Sequence, residues 1–228
     1  MLTPRRALVV VGKAPVAGKA KTRLVPPLSP EQAAEVARAF LLDTVDLGGG
    51  LGWEQLTLVH PNETGQREAL ARLLPGEVRM LPQTGAGLGD ALAGALAAHF
   101  AEGFDRVVLL DTDSPTLPRA ILEAASERLQ QCDVSLGPCA DGGYYLIGLR
   151  APRPRLFEDI AWSTQGVLRQ TLERARESRL SVATLPEWYD VDSFDDLLQL
   201  ERDLLARPAY VAPNTRRVLE RLSAAVKR

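Results

Sequence analysis

Residues 7–23 read ALVVVGKAPVAGKAKTR, and this stretch decides the fold class. It opens on an apolar, largely β-branched run without polar alternation, which is typical of a strand buried on both faces of a sheet. Glycine, proline and lysine then replace the apolar residues, so the strand is predicted to end in a basic loop that begins at Gly12. Because a strand covered on both faces needs helices on either side, the stretch favours an α/β protein with a parallel sheet.

The same order of strand, loop and helix recurs along the chain. Short apolar runs predict strands at residues 7–11, 55–60, 78–82, 106–110, 134–136, 144–149 and 181–185. Helical spacing of apolar residues predicts helices from residue 30 to the glycines at 48–50, at 68–74, 88–100, 118–130 and 165–178, from 193 onward, and at 214–227. We predict a three-layer α/β/α architecture with a mostly parallel mixed sheet. Since no repeat or linker interrupts the pattern, residues 1–228 are predicted to form a single domain.

Polar residues before two of these helices predict where they begin. Ser29 is expected to cap the first helix, with Gln32 closing a capping box. Ser163 or Thr164 is expected to cap the helix at 165–178.

Composition limits the classes of function. The formal net charge is -2 and the sequence pI is about 5.8, so we expect no nucleic-acid partner, because nucleic-acid binders usually carry a basic surplus. The N-terminus lacks the layout of a signal peptide, and no apolar stretch approaches the ~18 residues of a membrane span. Cys132 and Cys139 are spaced as free thiols rather than as a zinc motif. We expect a cytoplasmic protein without a membrane span, either a monomer or a homodimer.

The loop after the first strand brings cations to the edge where ligands bind. In sheets of this kind, ligands bind at the carboxyl ends of the strands. Lys13, Lys21 and Arg23 supply positive charge there. Gly18 leaves backbone amides accessible, so the loop is predicted to bind a pyrophosphate. The loop is not a P-loop, because Ala20 stands where a Ser or Thr must hold magnesium. A solvated basic turn is the alternative interpretation.

A glycine-rich loop at residues 83–90 joins a predicted strand to a predicted helix. Gln83 could pair with the edge of a nucleotide base, and Gly85 permits a ligand to approach the backbone closely. The dinucleotide fingerprint is not satisfied, because Asp90 occupies the position of its third glycine. A tight turn that requires positive φ is the alternative.

Two acidic pairs follow the ends of predicted strands. Asp111 and Asp113 come directly after the strand at 106–110, and a second pair, Asp190 and Asp192, follows the last strand. Mg²⁺ and Mn²⁺ prefer carboxylate oxygens together with substrate phosphates, so these residues are predicted to hold one of these metals. Helix capping is the alternative for both pairs, by Asp113 or Ser114 in the first and by Asp192 in the second.

A glycine turn at residues 140–143 joins two predicted strands. Asp141 lies in this turn at the strand ends and is the candidate general base or acceptor contact. His60 and His99 stand alone and the G-x-S-x-G motif is absent, so a triad hydrolase is not predicted.

Several motifs resemble those of one family, in the same order and along almost the whole chain. They are Lys13-x-Pro15-x-x-Gly18-x-x-Lys21-Thr22-Arg23-Leu24, Asp113-Ser114-Pro115-x-Leu117, Gly137-Pro138-x-x-Asp141-Gly142-Gly143-Tyr144-Tyr145, Trp162-Ser163-Thr164 and Trp188-Tyr189-Asp190-Val191-Asp192. The chain resembles a bacterial family of GT-A-type, glycosyltransferase-like proteins related to guanylyltransferases that act on molybdenum cofactor and 2-phospholactate. The resemblance implies the nucleotide-diphospho-sugar transferase fold, phosphate binding by the first loop, and a metal near Asp113 and the pair Asp190 and Asp192.

Three positions depart from the family pattern. Relatives often carry Asp and Arg where this chain has Gly87 and Ala91, within and just after the glycine-rich loop. Relatives also often carry Gly in place of Asp111, so Asp111 is either an additional metal ligand or a bystander.

These patterns together predict a metal-dependent transferase with a nucleotide-activated donor and a small-molecule acceptor. The leading hypothesis is a glycosyltransferase that uses a nucleotide sugar, in which catalysis rests on positioning and charge stabilisation. The first alternative is a nucleotidyltransferase, of guanylyl or cytidylyl type, that condenses a nucleoside triphosphate with a phosphorylated acceptor and releases pyrophosphate. The second alternative is a non-catalytic nucleotide-binding protein of the same fold.

Overall fold

The computed structural model describes residues 4–226, and strands and helices alternate through most of this range. Its strands are β1 Arg6–Val11, β2 Gln55–His60, β3 Arg79–Pro82, β4 Arg106–Leu110, β5 Val134–Pro138, β6 Tyr144–Leu149 and β7 Val182–Thr184. Its α-helices are α1 Pro30–Gly49, α2 Gln66–Ala71, α3 Leu88–Ala101, α4 Arg119–Arg128, α5 Val167–Glu177, α6 Phe194–Ala206 and α7 Pro213–Val226. Single turns of 3-10 helix lie at Thr22–Leu24 and Pro154–Phe157.

The strands form one sheet in the order β3-β2-β1-β4-β6-β5-β7. β6 runs antiparallel to both of its neighbours, whereas the other pairs are parallel. Successive residues of β1 pack on opposite faces, since Val9 shares an apolar cluster with Leu92 of α3 and Val10 shares one with Leu41 of α1. Helices therefore cover both faces, and the predicted three-layer architecture with a mostly parallel mixed sheet is confirmed.

The order of the strands opens a crevice at the carboxyl ends of the strands, which is called the carboxyl edge of the sheet below. The chain moves from β1 outward to β2 and β3 and then returns to β4, on the other side of β1. The loops after β1 and β4 therefore diverge, and in α/β sheets ligands bind in the crevice between such loops. The hairpin from β5 to β6 turns at this same edge, and Trp188 pairs with Cys139 beside it. The loops in which the sequence places the polar candidate residues therefore lie together at the carboxyl edge of the sheet.

The predicted elements lie within three residues of their observed bounds. The capping box of α1 is confirmed, because the Ser29 side chain accepts a hydrogen bond from the Gln32 amide and the Gln32 side chain bonds back to Ser29. Lys227, which was predicted to end the last helix, lies outside the described residues. Cys132 and Cys139 are both free thiols. Among residues 4–226, no helix is both long enough and apolar enough to cross a membrane.

The predicted cap of α5 is wrong. The helix begins at Val167, and its N-cap is Gly166 rather than Ser163 or Thr164. The Thr164 hydroxyl instead donates to the carbonyl of Ala161 at 2.7 Å. This bond closes a tight turn in front of the helix, so the polar side chain serves the turn and not the helix end.

A buried carboxylate joins the last helix to the first. Asp43 of α1 is 4% exposed, and it accepts hydrogen bonds from the first turn of α7. The backbone amides of Asn214 and Thr215 donate to it at 2.9 and 2.8 Å, and the Thr215 hydroxyl donates at 2.6 Å. A negative charge at a helix N-terminus satisfies amides that lack a partner within the helix and interacts favourably with the helix dipole. Asp43 therefore caps α7 from a neighbouring helix.

Replacing Asp43 with Ala is expected to lower the free energy of unfolding by about 2–3 kcal/mol, because it leaves the buried amide and hydroxyl of Thr215 without an acceptor. Urea denaturation of the two proteins measures the difference. Asp46→Ala is the matched control, since Asp46 is exposed and, among the described residues, accepts only from the Asn214 side chain at 3.3 Å. The control is expected to cost less than about 0.5 kcal/mol, and equal losses in the two variants would contradict the capping role of Asp43.

Candidate functional site

The two acidic pairs meet at the carboxyl edge of the sheet. The backbone after β4 is held by Asp111, whose amide donates to the Tyr145 carbonyl of β6 at 3.1 Å. The amide of Asp113 donates to the Asp111 carboxylate at 3.1 Å. The Asp113 carbonyl accepts from the amide of Val191 at 2.9 Å, which ties this loop to the segment that holds Asp190 and Asp192. The four predicted metal ligands are therefore brought to one place.

Lys21 lies between one carboxylate of each pair. Its ammonium group is 2.8 Å from the Asp113 carboxylate and 3.0 Å from that of Asp192, and it donates to the Val191 carbonyl at 2.6 Å. The side chain is only 9% exposed. Burial acts to lower the pKa of Lys21, but the negative charges of Asp113 and Asp192 outweigh it and raise the pKa overall. Lys21 therefore remains charged and joins the loop after β1 to both acidic segments.

These carboxylates do not serve as helix caps. Ser193 is the N-cap of α6 and forms a capping box with Asp196, while Asp192 accepts hydrogen bonds from Lys21 and Arg23. In the other segment, the Ser114 hydroxyl donates to the Tyr189 carbonyl at 3.0 Å, and α4 begins only at Arg119, with Pro118 as its N-cap. The capping alternative is thus contradicted for both acidic pairs.

A second cluster lies beside the glycine turn. Ligand atoms of Cys139, Asp141 and Asp190 all lie within 4.8 Å of one another. Burial raises the pKa of Asp190 to about 6, and the Asp141 carboxylate adds to the rise. Burial, followed by the charge of Asp113, raises the pKa of Asp111 well above its usual range. Cations offset such repulsion between neighbouring carboxylates, so this oxygen-rich site fits Mg²⁺ or Mn²⁺.

The Asp141 turn is shaped by its glycines. The Asp141 side chain accepts a hydrogen bond from the Gly143 amide at 2.8 Å. Gly142 has φ +90°, and a side chain there would collide with the carbonyl of Gln165. The Asp141 carboxylate is thereby held at the mouth of the crevice.

A basic cavity of about 520 Å³ lies on the β1 side of the acidic edge. Its lining includes the cations Lys13, Lys19, Lys21 and Arg23, together with Pro61, Gln83, Thr112, Asp113 and Asp192. Lys13 and Lys19 are exposed. This cavity therefore combines positive charge with a polar side chain, Gln83, of the kind that recognises a nucleotide.

An acidic cavity of about 480 Å³ adjoins it on the β6 side. Its charged lining consists of Asp111, Asp141, Asp190 and Asp192 together with Arg23, and its apolar wall includes Leu92, Leu109, Tyr144, Ile147, Trp162 and Val167. Arg23, Leu88 and Asp192 line both cavities, so the two spaces are contiguous. The crevice thus has two differently charged halves that meet at Arg23 and Asp192.

Comparisons with known proteins agree with this architecture. The family model described as "Uncharacterized protein conserved in bacteria (DUF2064)" matches residues 52–164. A crystal structure from Desulfovibrio desulfuricans G20, of a protein named provisionally as a nucleotide-diphospho-sugar transferase, is 31% identical, covers 99% of this chain and 98% of its own, and has a TM-score of 0.91. The chain belongs to the DUF2064 family. The resemblance noted in the sequence motifs is therefore confirmed.

Two further comparisons concern a curated protein and a solved structure. The 2-phospho-L-lactate guanylyltransferase of Methanothermobacter thermautotrophicus is 28% identical over an alignment of 185 positions, which covers 78% of this chain and 77% of the relative. A structure of Rv0371C from Mycobacterium tuberculosis H37Rv in complex with manganese is 18% identical, covers 87% of this chain and 98% of its own, and has a TM-score of 0.53, so it shows the fold alone. The prediction of a transferase is confirmed at the level of class.

The predicted phosphate-binding residues of this DUF2064 protein fall into two groups. Lys13, Lys21, Arg23 and Gln83 line the basic cavity. Gly18 and Gly85 lie outside the linings of both cavities. Gly85 has φ +78°, and the next amide, that of Ala86, donates to Asp90 at 3.0 Å. This geometry favours the tight-turn interpretation of the glycine-rich loop, whereas ligand binding by Gly18 and Gly85 stays a prediction.

Sequence reasoning missed Cys139 as a member of the site. Its thiol is 5% exposed, and burial, followed by the charge of Asp111, raises the pKa of Cys139. The available signal was its position, since it immediately follows β5 and stands two residues before Asp141.

Replacing Lys21 with Met is expected to destabilise the metal-free protein by about 1–3 kcal/mol, because two carboxylates lose their shared cation. Thermal unfolding in EDTA and in MnCl₂ measures the effect. Manganese is expected to raise the melting temperature of the variant more than that of the unmodified protein, because the metal replaces the missing charge.

Lys19→Met, at an exposed lysine of the same loop, is the matched control and should leave both melting temperatures almost unchanged. An equal manganese shift in Lys21→Met and in the unmodified protein would show that Lys21 and the metal do not share these carboxylates.

Proposed function

We propose that the protein is a metal-assisted glycosyltransferase in which residues 1–228 act as a single domain. The donor, a nucleotide-diphospho-sugar, lies in the basic cavity, and a small-molecule acceptor enters the acidic cavity. The observation that carries the proposal is the contiguity of the two cavities, with the predicted metal ligand Asp192 lining both of them and Asp113 lining the basic one. The sugar of a donor bound in the basic cavity would then lie between the two cavities and face the acceptor.

The donor half supplies charge rather than covalent chemistry. Lys13 and Lys19 are exposed cations of the basic cavity that can contact a diphosphate. Arg23, which is 73% exposed and 3.2 Å from Asp192, can also reach phosphate oxygens from the boundary between the cavities. Gln83 can hydrogen-bond the edge of a base.

Asp113 would hold Mg²⁺ or Mn²⁺ together with Asp111, Asp190 or Asp192. Carboxylate oxygens that crowd and repel one another fit such an ion, and the fold relative Rv0371C binds manganese. The metal would neutralise the negative charge that grows on the departing nucleoside diphosphate. Lys21 contributes a fixed positive charge beside the same carboxylates.

Asp141 is the proposed general base. Its carboxylate is exposed and lines the acidic cavity, and the Gly143 amide fixes its orientation. As the acceptor oxygen bonds to the anomeric carbon, the bond from that carbon to the diphosphate oxygen breaks. The acceptor proton passes to Asp141, and the nucleoside diphosphate departs with the electron pair.

Nucleotidyl transfer is the second candidate, and it is favoured by the guanylyltransferase relative at 28% identity. The same basic cavity would then bind a nucleoside triphosphate, and pyrophosphate would be released. Product analysis distinguishes the two reactions, since a nucleoside diphosphate marks glycosyl transfer and pyrophosphate marks nucleotidyl transfer. Nucleotide binding without turnover of any donor would instead indicate a binding protein.

Asp113→Ala is expected to weaken metal-dependent nucleotide binding roughly tenfold or more, because it removes a predicted metal ligand and a partner of Lys21. Thermal-shift titrations with nucleotide sugars and nucleoside triphosphates, each in MnCl₂ and in EDTA, measure the affinity.

The matched control for Asp113→Ala is Asp105→Ala. Asp105 is an exposed aspartate that precedes β4 at the opposite edge of the sheet, and the control should retain full affinity. If Asp113→Ala binds every nucleotide as tightly as the unmodified protein does, the metal assignment fails.

A further inference from the structure

The charges of the acidic cavity restrict what can bind there. Four aspartates contribute to its lining, at positions 111, 141, 190 and 192. Among the residues of 4–226 that line this cavity, Arg23 is the single cation, and it already pairs with Asp192 at 3.2 Å. An anionic acceptor would therefore meet several carboxylates and have no unpaired cation to bind.

A divalent cation on the aspartates would not reverse this balance. In the proposed function the metal is shared with the diphosphate of the donor, which brings negative charge of its own. The cations suited to phosphate, Lys13 and Lys19, line the basic cavity and not the acidic one. The positive charge of the crevice is thus concentrated on the donor side.

The opposite wall of the acidic cavity is apolar and aromatic. Leu92 and Val167 are 6% exposed, and Leu109 and Ile147 are 2% and 1% exposed, so these side chains form a fixed surface. Tyr144 and Trp162 line the same space and meet edge to face, with their ring centroids 6.4 Å apart and their planes at 76°. A wall of this kind suits a flat or apolar face of a ligand.

We propose that the acceptor is an uncharged or positively charged molecule that presents a hydroxyl or amine to Asp141 and an apolar face to Tyr144 and Trp162. Phosphorylated and carboxylated acceptors are rejected by the four aspartates. The inference rests on the proposed function, since it assigns the acidic cavity to the acceptor. It also separates the two candidate reactions, because transfer of a nucleotide to a phosphorylated acceptor needs cations in this cavity.

A set of probes with one ring and different polar groups tests the proposal. The probes are 2-phenylethanol, 2-phenylethylamine, 3-phenylpropionate and 2-phenylethyl phosphate. Their dissociation constants are measured by ligand-observed NMR on the full-length protein with MgCl₂, since Mg²⁺ is diamagnetic, and a nucleoside diphosphate. The alcohol and the amine are expected to bind roughly tenfold or more tightly than the carboxylate and the phosphate.

A pair of variants ties the selectivity to this cavity. Gln165 is exposed and lines the acidic cavity. Gln165→Lys is expected to improve binding of the phosphate probe relative to the alcohol by roughly three- to tenfold, since it adds an unpaired cation. Gln165→Glu, the matched variant of opposite charge, should not improve it.

Two results would overturn the proposal. One is tighter binding of the phosphate or carboxylate probe to the unmodified protein, and the other is the absence of binding by all four probes. Nucleotide binding is measured separately by thermal shift, in the absence of probes. A protein that binds no nucleotide refutes the proposed function, whereas one that binds nucleotide but prefers anionic probes refutes the acceptor class alone.

Discussion

The ammonium group of Lys21 joins three parts of the chain that are far apart in sequence. It contacts Asp113 at 2.8 Å, Asp192 at 3.0 Å and the Val191 carbonyl at 2.6 Å. The loop after β1, the end of β4 and the segment after β7 are thereby held at one edge of the sheet. Both cavities are lined by residues of all three parts or of their immediate neighbours, so their shape depends on this one buried cation.

The arrangement also concentrates more negative charge than Lys21 can balance. Burial and neighbouring carboxylates raise the pKa of Asp190 to about 6, and similar causes raise the pKa of Asp111. Ionising these carboxyl groups costs more free energy than ionising exposed ones, and a bound cation lowers that cost. The same charges that favour a metal oppose an anionic acceptor. Metal binding and acceptor selectivity therefore have one electrostatic origin.

Much of the fold follows from local sequence, because its signals lie within single elements. The run at 7–11 is continuously apolar and is followed directly by a polar loop, and β1 ends where that loop begins. The acidic pairs could be assigned to the site for a similar reason, since each follows a strand whose carboxyl end must lie at the crevice. The Ser29 capping box depends only on residues three apart, and it is present as predicted.

Features that depend on tertiary contacts could not be read from the sequence. The sequence predicts that Lys21 binds phosphate, but its observed partner Asp192 lies 171 positions away. A lysine in a loop can pair with a phosphate or with a carboxylate, and the sequence alone does not distinguish the two. Thr164 has the chemistry of a helix cap, yet the turn before α5 uses its hydroxyl. The division of the crevice into a basic and an acidic half arises only when β6 and β7 bring Asp141 and Asp190 beside β4.

X-ray diffraction at the manganese edge, from crystals grown with MnCl₂ and a nucleoside diphosphate, tests the assignment of the crevice most directly. We expect one anomalous peak in contact with Asp113 and with the phosphates, and the nucleotide in the basic cavity beside Lys13 and Gln83. A peak remote from the aspartates, or a nucleotide bound against Trp162 in the acidic cavity, would contradict the assignment of donor and acceptor sites.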